Sequence, residues 1–177
     1  MALRSGQKIS AIVALVAMML VVVIAPASAD TGTTQISGTG FFEPPACDDP
    51  PGEFTDLAVG LEGSLVGCWY IDVTSSRWNS ASGVYQEDGV EHFEGCLTGA
   101  DDRCGTFRTT YRFTARYEPD PGSTQPDPAM QLNGRCQHPL IDGSGTGGFA
   151  GATGRLDFKD DVEAGIVVYR GHITLAE

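Results

Sequence analysis

Apolar side chains in this chain recur at every second position and not at helical spacing. The clearest stretch runs from Phe107 to Tyr117. There Phe107, Tyr111, Phe113, Ala115 and Tyr117 share one face, and Arg108, Arg112 and Arg116 share the other. A strand separates such residues onto two faces, whereas a helix would scatter them. The same parity aligns Leu65, Trp69, Ile71 and Val73, then Met130, Leu132, Cys136 and Leu140, then Leu156, Phe158 and Val162. Val167, Tyr169, Ile173 and Leu175 form a last set, and further strands are predicted over Thr33–Glu43, Val84–Glu87 and Val90–Thr98. Gly89, Gly99 and Gly165 read as turns between them. Most of the prolines fall in Glu43–Glu53 and Glu118–Ala129, which read as exposed loops.

Strands with one apolar face each must bury those faces together, in a sandwich or in a closed barrel that also removes sheet edges. The predicted fold is all-β, an antiparallel closed β-barrel of about eight strands.

The first residues follow another pattern. Arg4 and Lys8 precede an apolar run from Ile9 to Ile24, and Ala27-Ser28-Ala29 follows Pro26. A basic head, an apolar middle and small residues at the end describe a secretory signal peptide over residues 1–29. The run is short for a membrane span, which needs about 20 apolar residues. The expected product is a secreted, extracellular domain over residues 30–177, with a partly irregular, proline-rich lead-in at 30–54 and no stable membrane insertion. About 150 residues suffice for one core. Removing Arg4 and Lys8, and no acid, takes the formal charge from −12 to −14. Such acidity disfavours nucleic acid and anionic membranes as partners.

All five cysteines lie beyond the signal. Export permits disulfides. Cys96 with Cys104, bracketing a hairpin tip, is the first expected pair and Cys47 with Cys68 the second, although Cys136 is an alternative partner for either. Zinc is disfavoured, because there is no C-x-x-C pair and His92, His138 and His172 are far apart. Asp157, Asp160 and Asp161 offer oxygen ligands without the loop of an EF-hand. No metal or cofactor is expected.

Residues 143–154 read Gly-Ser-Gly-Thr-Gly-Gly-Phe-Ala-Gly-Ala-Thr-Gly, with Phe149 the one large side chain. A phosphate-cradling loop would need a helix after the glycines, and in the P-loop form a lysine. Here a strand pattern follows and the loop has no lysine. The run G-x-G-T-G-x-F-A-G-A-x-G, lying late in the chain before a strand, resembles the allene oxide cyclase and dirigent-like β-barrel superfamily, including exported bacterial members. Gly38 to Phe42, Phe93 to Gly95 and Gly105 to Phe107 are compatible with the resemblance. It implies a barrel fold and a chemistry of either fatty-acid epoxide cyclisation or steered coupling of phenolic radicals. No site residue is carried over from it.

Parity also places polar residues on the predicted inner face: Glu91, Thr109, Tyr111, His138 and Asp160. A carboxylate among apolar neighbours suits acid–base work, and Glu91 is the candidate catalytic residue. His92 and Glu94 fall on the outer wall. Three readings follow. The first is a secreted protein that binds a small hydrophobic ligand in the lumen, lined by Trp69, Glu91, Phe93, Phe107, Tyr111, Phe113 and Phe158. The second is an allene oxide cyclase-like isomerase. The third is a non-catalytic interaction module with a filled core, including a homo-oligomer.

Overall fold

A computed structural model of the chain describes residues 32–42, 44–47, 49–99 and 103–176. The signal peptide expected over residues 1–29 lies outside them. Eight antiparallel strands, β1 (Thr33–Phe42), β2 (Leu57–Gly63), β3 (Leu65–Asn79), β4 (Val84–Leu97), β5 (Arg103–Tyr117), β6 (Gln131–Pro139), β7 (Thr153–Asp161) and β8 (Ile166–Thr174), follow one another round a closed barrel. β1 pairs with β8 from Thr33–Thr174 to Phe41–Ile166, which removes the last sheet edge. Both expected disulfides are present, Cys96–Cys104 between register partners of β4 and β5 and Cys47–Cys68 from the lead-in to β3, leaving Cys136 as the free thiol.

Three expectations are corrected. Val84–Glu87 and Val90–Thr98 are one strand, and Gly89 lies within it. A Cβ at Gly89 would run into the Asp72 carbonyl and the Tyr111 ring, so this glycine makes room inside the barrel and turns nothing. In β6 the register jumps between Arg116–Asn133 and Tyr117–Gln131. This bulge flips the parity, so that Met130 and Leu132 face solvent at 49% and 51% exposure while Gln131 turns inward. Val162 lies past the end of β7 in the turn to β8, and is exposed as well.

The lead-in is also less exposed than expected. Phe54 is buried against the outside of the wall in a cluster with Cys47 and Tyr70. Its ring lies 5.5 Å from that of His92 and 5.0 Å under the Arg108 guanidinium. Asp56 then follows the upper edge of β3, its carboxylate accepting from the Val73 N–H at 2.7 Å where β2 no longer pairs. His92, expected at an open surface, is therefore partly covered, and burial lowers its pKa.

Candidate functional site

The inward side chains form a graded column from one end of the barrel to the other. At the closed end Leu65, Phe93, Phe107, Leu156 and Ile173 are fully buried. Phe149 plugs this end from the glycine-rich loop, with its ring centroid 5.0 Å from that of Phe107 and 5.8 Å from that of Phe93. The loop reaches in because Gly147, at φ +56°, sits on the Cys104 carbonyl where a Cβ would not fit. Midway, the Trp69 ring lies between Phe93, Phe107 and Phe158, at 5.9, 5.7 and 5.1 Å. Its Nε1–H is buried with no hydrogen-bond partner among the described residues.

Above the tryptophan the column becomes polar. Glu91, Thr109 and His138 are each 1% exposed. The register sets Glu91 opposite Thr109 across β4 and β5. Glu91 Oε2 accepts from Thr109 Oγ1 at 2.6 Å and contacts His138 Nδ1, also at 2.6 Å. On its other side, His138 Nε2 is 2.8 Å from Cys136 Sγ. The tautomer is assigned from this network: Nδ1–H donates to the carboxylate, so Nε2 is left as acceptor for the thiol S–H. The imidazole is held by rings, 4.3 Å from Phe158, 5.6 Å from Trp69 and stacked 6.0 Å from Tyr111. Burial, and then the charge of Glu91, push the Cys136 pKa well above its ordinary value, so the sulfur carries its proton.

The far end is less completely buried. Ile71, Val73, Tyr85, Glu87, Phe113, Cys136 and Asp160 have inward parity yet keep part of their surface accessible. Glu87 accepts from the hydroxyls of Tyr85 and Tyr111, each at 2.5 Å. Burial, followed by this carboxylate, raises the pKa of both, that of Tyr85 to about 12. Asp160 accepts from Gln131 Nε2, and burial raises its pKa. β3, β4 and β5 run on above this mouth as a lip, where Trp78 packs edge-on to Tyr117 and donates through Nε1 to Ser123 Oγ at 3.0 Å.

The seven side chains expected to line the lumen thus divide. Trp69, Phe93, Phe107 and Phe158 pack on one another as filling. Glu91 lies in the polar layer, paired rather than alone, and Tyr111 and Phe113 stand on the mouth side. Sequence reading missed Glu87, because taking Gly89 for a turn broke the parity that links it to Glu91. It also left Cys136 and His138 unconnected to Glu91. A surface hollow of about 630 Å³ lies elsewhere, along the tip of the β3–β4 hairpin at Arg77, Trp78 and Val84. It is wide open to solvent and none of Glu91, Tyr111, Cys136 or His138 lines it. Among the described residues no group of His, Cys, Asp and Glu is arranged to hold a metal ion. Glu91, His138 and Cys136 touch one another in a chain instead of converging on a point. No helix among those residues is long and apolar enough to cross a membrane.

Comparison with protein-family models, curated proteins and solved structures finds no match to the chain.

Proposed function

We propose that this is a secreted binding protein that holds a small, largely apolar molecule in the open half of its barrel. The observation that carries the reading is the gradient of exposure along the inward face. It falls from partly accessible Phe113, Glu87 and Cys136 to fully buried Phe93 and Phe107. We read this gradient as a cup with an aromatic floor. Its walls mix apolar groups (Ile71, Val73, Phe113) with a few fixed polar ones, the usual make-up of a small-molecule site. Glu87 has already accepted two tyrosine hydroxyls. A carboxylate can accept about four hydrogen bonds, so it retains capacity for a ligand's polar end. Trp69, Phe93, Phe107 and Phe158 serve this reading as a rigid base and not as contacts. Two disulfides are consistent with an extracellular setting. Kinship with the allene oxide cyclase and dirigent-like superfamily is part of the same proposal, supported by the eight-strand closed barrel and the place of residues 143–154 between β6 and β7.

The test is native mass spectrometry of the secreted chain purified without detergent, together with titration by a neutral environment-sensitive dye such as N-phenyl-1-naphthylamine. A small-molecule adduct lost on unfolding, or saturable dye binding that Phe113→Trp weakens at least about tenfold by filling the cup, is expected. A clean apo mass with no dye binding refutes the reading and leaves a filled barrel that works through its surface.

A further inference from the structure

We propose that Cys136, His138 and Glu91 form a thiol–imidazole–carboxylate relay that captures a small α,β-unsaturated carbonyl compound by conjugate addition at the bottom of the cup. The inference rests on the cup admitting a small molecule, and it adds the ligand's chemical class and the atom that takes it.

The order of the three groups is that of an activated nucleophile. A base stands within hydrogen-bond reach of the nucleophile, and a third group orients the base. Here Sγ to Nε2 is 2.8 Å and Nδ1 to Oε2 is 2.6 Å. Thr109 holds the carboxylate from the far side at 2.6 Å. The three side chains come from β4 and β6, and Phe158, Trp69 and Tyr111 pack round the imidazole. Glu91 and His138 are 1% exposed, whereas Cys136 keeps some accessible surface. Of the three, Cys136 alone is not fully buried. A buried thiol of raised pKa is a weak nucleophile unless a base removes its proton. The relay supplies that base, and the four other cysteines, tied in pairs, leave Cys136 without an oxidising partner within the chain.

The geometry also selects the reaction class. Acyl transfer needs donors aimed at a developing oxyanion. The hydroxyls of Thr109 and Tyr111 are already committed to Glu91 and Glu87, which leaves the Trp69 Nε1–H as the one unpartnered side-chain donor of this column among the described residues. Conjugate addition asks less of the site, because the charge on its enolate oxygen is quenched as soon as the α-carbon is protonated. The S–H proton passes to His138 Nε2, sulfur bonds to the β-carbon, and the C=C π pair moves toward the carbonyl. The α-carbon then takes the proton back from Nε2. The S–H bond and one π bond are lost, an S–C and a C–H bond form, and nothing is oxidised or reduced. Cys136 is the nucleophile, His138 the base and Glu91 a positioning residue.

N-Ethylmaleimide is the probe, added at neutral pH to the secreted chain with its disulfides intact and followed by intact mass and peptide mapping. The expected result is a single adduct on Cys136 in native buffer, absent from Cys136→Ser. A general base contributes about 10²–10⁴-fold, so His138→Gln should slow labelling at least about tenfold at neutral pH. Raising the pH should restore its rate, as hydroxide takes over from imidazole. A merely structural loss of packing would speed labelling instead. Glu91→Gln should move the pH–rate profile of the wild-type relay, which serves if His138→Gln does not fold. Labelling seen only in denaturant, or an unchanged neutral rate in His138→Gln, overturns the relay. Dye binding by Cys136→Ser beside an unlabelled native thiol overturns the relay alone and keeps the cup. Neither dye binding nor labelling overturns both.

Discussion

Replacing Phe149 by alanine should cost this protein about 4 kcal/mol, although the residue belongs to a glycine-rich loop. The ring is fully buried, edge-on to Phe107 and Phe93. Truncation removes roughly 120 Å² of apolar surface, most of the ~150 Å² that a buried phenylalanine hides. At about 25 cal/mol per Å² that is near 3 kcal/mol. The two aromatic contacts add about 0.5–1.5 kcal/mol each, and partial collapse of the loop into the hole offsets some of the total. The assay is urea unfolding of the secreted chain, read by tryptophan fluorescence, with Trp69 packed against the same rings, and by circular dichroism. With a slope of about 2 kcal/mol per molar urea the midpoint should fall by about 2 M. Phe149→Leu should recover about half of that loss. A fall under about 0.5 M, worth about 1 kcal/mol at the same slope, would refute the plug, and the loop would then be free for another role.

Three other outcomes follow from the same structure. Replacing Cys47 and Cys68 together by serine should cost about 3 kcal/mol from the loop they close and should open the lead-in to proteolysis near Phe54. Thiol counting on the denatured, unreduced wild type should find one reactive cysteine, and three would contradict the pairing. Stability should also fall between about pH 10, where unfolded tyrosines ionise, and about pH 12, to which burial and then Glu87 raise Tyr85, with Tyr111 higher still. In that window the unfolded chain has released protons that the folded chain keeps, so rising pH favours unfolding. Tyrosinate absorbance and urea midpoints measured together check this, and an unchanged midpoint across the window would refute it.

The strands themselves were legible one by one. Alternation from Phe107 to Tyr117 determines an apolar and an arginine face whatever the neighbours are, because side chains of an extended chain point to opposite sides. For the same reason Glu91, Thr109, His138 and Asp160 could be assigned to the inside from parity alone. Parity failed at Leu132, where a bulge consumes a residue, and at Gly89, where a missing side chain reads equally as a turn or as space for a neighbour. Closure of β8 on β1, the burial of Phe54 outside the wall, and the joining of Glu91 to His138 across 47 residues of sequence belong to tertiary structure alone. These depend on register between strands, and register is a property of pairs: each strand carries its own pattern of faces, but only its hydrogen-bonded neighbours decide which residues share a level of the barrel.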